Sequence, residues 1–274
     1  MCEAASSRLI ANARMYAVSP SAAAAWRALF SLVSTRADVP LDIIDHAFPA
    51  PLIELWARDD LGCVFMCGWP YAKDPRGRHV LAVPVPSAEW ARGQPVYRSD
   101  FVVSAAAPFA TLSDCRGHRY AYTATDSHSG YNAPRASLAA LGTGAALFGE
   151  VLGPYGTPRR AIEAVVAGEA DVTGIDAYAY DLLCHHEPAF ARATRVIAAS
   201  PPYPMPPLVA SAGTQPGVCR ALTGALVGLA DDPAGRDLLG DLRLRGFAEV
   251  AAGDYALTLA AGPAADAVGY TAIR

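Results

Sequence analysis

Lysine is almost missing from this chain: Lys73 is the only one in 274 residues, and charged side chains of both signs together make up 18%. With 22 Lys+Arg against 26 Asp+Glu the formal charge is −4, so the clustered cations that a phosphodiester backbone demands are lacking, and no nucleic-acid partner is expected. Cationic work falls to arginine, whose planar fork suits bidentate contacts to anions. No apolar run reaches the roughly 18 residues that suggest a membrane span. The opening "MCEAASSRLIANARMY" has no apolar core after a basic start, so no secretory signal is expected and the chain as given reads as soluble. Cys2, Cys63, Cys67, Cys115, Cys184 and Cys219 show no framework spacing and read as free thiols. Cys63 and Cys67 share a face of one predicted strand, but no second Cys/His pair lies nearby, so no metal site is expected there. The adjacent His185 and His186 diverge on a helix and are poorly placed to chelate one ion. No cofactor is implied.

What is abundant is apolar: 53% of residues, enough for one large core or two medium lobes. The first unit reads strand, helix, strand. Residues 9–18 are expected to be extended, then Ser19-Pro20 offers an N-cap and a proline at the first helical position. Trp26, Leu29, Phe30 and Val33 follow at the spacing of one buried stripe. "LDIIDH" predicts a short strand, "PLIELWARDD" a short helix and "GCVFMCGWP" a strand ending at a Gly-Trp-Pro turn. The order βαβαβ implies a parallel sheet covered by helices.

Proline-broken strand-like segments follow, up to "PVYRSDFVVS". A second α/β unit then runs through "HRYAYT", the helix "TPRRAIEAVVAGEA" with its stripe at Ile162, Val165 and Val166, the strand "DVTGID" and the helix "AYAYDLLCHHE". "PPYPMPPLVAS" reads as a stiff return path, and two helical segments and a poorly patterned tail complete the chain. Leaving the first unit near residue 99 and returning near 208, the chain is expected to build lobe 1 from 1–99 plus 208–274 and lobe 2 from 100–207. Such a topology makes a hinge and a cleft.

Between strand and helix of the second unit stands "DSHSGYNAPRASLAAL". Three readings compete. A nucleophile at a strained turn needs a glycine two before the serine, and Ser129 lacks it. An N-cap explains one hydroxyl. An anion cradle uses Ser127, His128, Ser129 and Gly130 together, because the start of a helix offers unpaired N–H groups and about half a positive charge.

Four segments in this order, "VYRSDFVVS", "TLSDCRGHRYAYTATDSHSGYNAPRASL", "VVAGEADVTGID" and "VIAASPPYPMPPLVAS", resemble the phosphonate-binding branch of ABC-transporter solute-binding proteins, which also includes phosphate and phosphite binders. The resemblance covers about 97–211. It implies an α/β, two-lobed clamp of the periplasmic-binding type II class, an interlobe ligand, ABC-transporter membrane subunits as partners, a monomer and a periplasmic location. That family's Ser-Thr-Ser-Gly run maps onto Ser127–Gly130, with His128 where threonine is usual. Its later histidine is replaced by Thr157, whose hydroxyl can still donate. Its acidic residue for a ligand amine matches Asp176, which can equally cap the next helix.

Tyr16, Trp69 and Tyr71 follow predicted strands of the first lobe and are expected at the cleft. Arg14 is a candidate counter-charge for the ligand, but lies one face away from Tyr16's neighbours and is expected on the surface in an ion pair, and Arg135 is expected to face solvent. The expected function is capture of a small oxyanion (phosphonate, phosphate or related) without chemistry. The alternative is a cytosolic enzyme or ligand sensor of the same fold acting on a small metabolite.

Overall fold

A computed structural model describes residues 8–74, 76–142 and 146–274; Cys2 and the rest of residues 1–7 of the N-terminal stretch considered above lie outside the described residues. In chain order the strands are β1 (Leu9–Asn12), β2 (Leu41–Ile43), β3 (Leu61–Phe65), β4 (His79–Pro86), β5 (Val96–Tyr97), β6 (Ser99–Ser104) and β7 (Arg119–Ala121). They continue with β8 (Glu150–Leu152), β9 (Val172–Asp176), β10 (Thr194–Ala199), β11 (Tyr203–Pro204), β12 (Leu208–Ala210) and β13 (Leu244–Ala248). The helices are α1 (Pro20–Ala37), α2 (Leu52–Trp56), α3 (Gly68–Lys73), α4 (Ala133–Ala139), α5 (Pro158–Val166), α6 (Ala177–His186), α7 (Pro188–Ala193), α8 (Pro216–Val227), α9 (Pro233–Asp241) and α10 (Ala256–Ala267).

Two sheets carry the fold. The first has the order β13-β4-β12-β3-β1-β2 and the second β10-β6-β9-β7-β8. Within the first, β1 runs parallel to β2 and β3, as the βαβαβ order implied, but β12 joins antiparallel, so the sheet is mixed. A two-stranded ribbon, β5 with β11, pairs Tyr97 with Tyr203 where the chain passes between the sheets. The two crossings are hydrogen-bonded to each other, which is the arrangement of a hinge.

Helix α1 forms as its sequence dictates. Ser19 accepts the amide of Ala22 at 3.1 Å, Pro20 occupies the first turn, and Trp26, Leu29, Phe30 and Val33 are buried against the first sheet. Helix α5 buries Ile162 and Val165, but Val166 points outward, because the helix ends before its stripe completes another turn.

Three local readings are corrected. The first strand stops at Asn12, whose side chain accepts the amide of Arg14 and donates to the carbonyl of Ile44; the chain turns at once into a single 3₁₀ turn, Arg14–Tyr16. The third strand ends at Phe65, so Cys67 lies beyond it at the start of α3 and does not share a strand face with Cys63. Arg135 is buried rather than solvated. It pairs with Asp266 and donates to the carbonyls of Tyr270 and Gly262, tying α4 to α10, while Ala265, Tyr270 and Ile273 join the apolar cluster of the second sheet. Arg135→Ala removes the donor to the Tyr270 carbonyl and the link between α4 and α10, and is expected to destabilise the fold by about 2–4 kcal/mol. Urea unfolding measures this; a change under about 0.5 kcal/mol would refute the clamp.

Candidate functional site

A cavity of about 920 Å³ lies between the two sheets and is lined from both sides. The first sheet supplies the 3₁₀ turn with Arg14 and Tyr16, and the segment from Ile43 to Ile53. The second supplies Thr123–Ala124, Asp126–Ser127, Ser129–Gly130, Gly156–Thr157 and Asp176. Every element named here ends or begins at the cavity, as ligand crevices of open α/β sheets do at the carboxyl ends of their strands.

The central feature is the turn that opens α4. Residues His128–Asn132 form a π-helical turn, with Asn132 donating to the carbonyl of Ser127 at 3.1 Å. Such wide turns recur at functional sites because they re-aim side chains that a 3.6-residue period would place elsewhere. Ser127 caps it, accepting the amide of Gly130 at 3.0 Å. Ser129 lines the cavity and its hydroxyl has no partner among the described residues, while its carbonyl accepts from Ser99 at 2.8 Å. Gly130 is required by space: a Cβ there would lie 1.8 Å from the hydroxyl oxygen of Thr123.

The wide turn also explains where His128 goes. Its ring is fully buried away from the cavity, edge-on to Tyr203 at 4.3 Å between centroids and near Tyr97 of the hinge ribbon, and neither ring nitrogen has a partner. Burial pushes its pKa down to about 4. The imidazole therefore does not stand with the serines; the residue's amide instead donates to Sγ of Cys67 at 3.4 Å, joining the cradle to the first sheet.

Opposite the cradle, Tyr16 and Asp176 meet. The Tyr16 hydroxyl donates to Asp176 Oδ2 at 3.1 Å, and Oδ1 accepts the amides of Tyr178 and Ala179 at 2.9 and 3.1 Å. Asp176 thus caps α6 and faces the cavity at once. Burial raises its pKa to about 7, offset in part by those hydrogen bonds. Thr157 caps α5, accepting the amide of Arg160 at 3.2 Å, with its proton left to donate.

Two expected residues are elsewhere. Because Gly68–Lys73 is helical rather than a strand end, Trp69 stacks under Lys73 and Tyr71 sits edge-on to Tyr255, and neither lines the cavity. In exchange the structure adds Arg14, which has no carboxylate partner among the described residues and donates to the carbonyl of Ala50. Burial lowers its pKa. The 3₁₀ turn after Asn12 is what swings it into the cavity, a change of direction that a strand reading of 9–18 hides. The exposed carboxylate of Asp126 also lines the site, and Phe48 reaches across it to lie under the guanidinium of Arg160.

A mixed two-sheet α/β body, two paired crossings and a cleft lined from both sides define a two-lobed clamp of the periplasmic-binding type II class. The chain belongs to the family described as ABC transporter, phosphonate, periplasmic substrate-binding protein, whose model matches residues 16–255. Among solved structures, a binding protein component of an ABC phosphonate transporter from Pseudomonas aeruginosa superposes with a TM-score of 0.78 at 17% identity, covering 96% of this chain and 88% of its own. PhnD1 from Prochlorococcus marinus, in complex with methylphosphonate, gives a TM-score of 0.78 at 16% identity, covering 93% and 97%. A Xanthomonas citri protein bound to ATP gives 0.65 at 21% identity, covering 96% and 98%. No curated protein sequence matches. No described helix is long and apolar enough to cross a membrane.

Proposed function

We propose that this protein captures a phosphonate or phosphate-type oxyanion between its lobes and presents it, chemically unchanged, to the membrane subunits of an ABC transporter, acting as a monomer in the periplasm. The observation that carries the reading is the turn at Ser127–Gly130, whose unpartnered Ser129 hydroxyl opens into a cleft shared with an arginine that has no carboxylate. Ser127, Ser129 and Gly130 are the oxyanion cradle, with the hydroxyl of Thr157 beside it and Arg14 as counter-charge. Asp176, steadied by Tyr16, selects ligands that bring a cation or a hydrogen-bond donor. His128 acts as a spacer between cradle and hinge. The lobes are 1–99 with 208–274 and 100–207, with the segment beyond α10 resting on the second.

Binding without turnover is supported by the side chains themselves. The His128 ring is turned away from both serines, and burial raises the Cys67 thiol to about 11, so neither pattern of an activated nucleophile is assembled at the cavity. Charge-assisted hydrogen bonds contribute about 1.5–3 kcal/mol each. Three or four of them, less the cost of ordering, give dissociation constants on the order of micromolar to nanomolar. Calorimetric titration with methylphosphonate, inorganic phosphate and sulfate, followed by analysis of the recovered ligand, tests this. Saturable binding with the ligand returned intact is expected; a ligand returned altered would favour the enzyme reading.

A further inference from the structure

The cradle occupies one end of a space far larger than a small oxyanion. At about 920 Å³ the cavity lies near the top of the range of about 300–1,000 Å³ in which proteins enclose drug-sized ligands. Methylphosphonate, taken at about 30 Å³ for each water-sized group, fills at most about a sixth of it. Much of the remaining wall comes from the first lobe and is largely apolar, with Ile44, Phe48, Leu52 and Ile53 of the segment leading into and through α2 lying over the buried rings of Trp26 and Phe30, and Arg27, Asp45 and His46 also lining it.

Two features show that this wall is not spare core. Phe48 and Ile53, which line the cavity, leave 43% and 58% of their surface uncovered, although side chains of this kind are normally buried. The lobes are also already in contact: Tyr16 reaches Asp176, Arg159 donates to the carbonyl of Val18, and Phe48 lies against Gly156 and Arg160. Gly156 has φ +77°, and a Cβ there would come within 2.4 Å of the Phe48 ring, so its absence makes room for that ring. The lobes therefore touch across the cleft, and the cavity between them remains large.

We infer that the ligand is an oxyanion carried on an apolar body at least as large as a ring, with its head at Ser127–Gly130 and its body along Phe48–Ile53. The inference rests on the oxyanion-capture reading above and adds the substituent. Burying a phenyl ring on that wall, at about 25 cal/mol per Å², predicts that phenylphosphonate binds at least about tenfold more tightly than methylphosphonate. Phe48→Ala and Ile53→Ser should each shrink that ratio, and Ile53→Ser, at an exposed position away from the cradle, should leave methylphosphonate affinity unchanged within about twofold.

Calorimetric titration of the wild type and both variants with the two phosphonates decides it. A tenfold preference that the variants reduce supports the inference. Equal affinities for both phosphonates, or a preference the variants do not touch, overturn it while leaving oxyanion capture intact. If neither phosphonate binds, the inference falls, and the capture reading falls with it when inorganic phosphate, titrated alongside, fails to bind too.

Discussion

Replacing Asp176 by asparagine is expected to make the empty protein more stable in alkaline solution than the wild type. The carboxyl is buried, and its folded pKa of about 7 lies above the ordinary 3.8. Between those values the unfolded chain has released the proton while the folded protein keeps it, so folding stability falls as pH rises from about 4 to about 7. The full difference is about 4 kcal/mol above pH 7, at about 1.4 kcal/mol per pH unit. Asparagine keeps an oxygen for the amides of Tyr178 and Ala179 and sets its NH₂ toward the Tyr16 oxygen, so the cap survives while the titration disappears. Urea unfolding of both proteins at pH 4.5 and pH 8 should therefore show a difference that opens with pH. The same substitution should abolish any preference for aminoalkyl over alkyl phosphonates, since a ligand cation is what would make the buried carboxylate favourable. A difference that stays flat across this range would mean that Asp176 is already ionised in the empty protein.

The second large effect has the opposite sign. His128 is neutral and unpartnered at the base of the cradle, with a folded pKa near 4 against an ordinary 6.5. As pH falls below 6.5 the unfolded chain takes up a proton that the folded state refuses, and stability is lost progressively until about pH 4, by about 3 kcal/mol in all. His128→Phe retains an edge-on ring for Tyr203 and removes the titration and the two stranded nitrogens. The variant should gain on the wild type steadily from pH 7 to pH 4 in chemical unfolding. If the gap between them does not change with pH, the imidazole is hydrogen-bonded or charged in the folded protein. Between about pH 4 and pH 6.5 the two slopes nearly cancel in the wild type, so each effect is read against its own variant rather than from the wild-type profile.

The parts of this site that were legible in the sequence are those set by local chemistry. Ser19-Pro20 and the stripe from Trp26 to Val33 specify α1 without help from the rest of the chain, and they form as expected. Ser127, Ser129, Gly130, Thr157 and Asp176 stand at strand-to-helix junctions, where hydroxyl, glycine and carboxylate are all useful, and the structure gathers them with Tyr16 around one cavity. What was not legible depends on direction. Three consecutive donors read as one cradle, but successive side chains diverge, and in the π turn the His128 ring lies toward the hinge while Ser127 and Ser129 line the cavity. The 3₁₀ turn after Asn12 brings Arg14 inward, whereas an extended reading of 9–18 leaves it at the surface. Trp69 and Tyr71 were placed by assuming that a strand continues to Pro70, but the chain has already turned into α3. Arg135 is buried because α10 covers it, and nothing near Arg135 in sequence announces a helix 120 residues later. Phe48 belongs to the same class, since its partner Arg160 comes from the other lobe.

The most direct test of oxyanion capture at Ser127–Gly130 is thermal unfolding of the wild type and of Ser129→Ala, each with and without phenylphosphonate. Ligand at 100 times its dissociation constant should stabilise the wild type by about 2.7 kcal/mol. Loss of the Ser129 hydroxyl should weaken binding by about 1.5–3 kcal/mol and so remove about half to nine-tenths of that shift at the same concentration, while leaving the unliganded midpoint nearly unchanged. An equal shift in both proteins would place the anion away from the cradle and contradict the account.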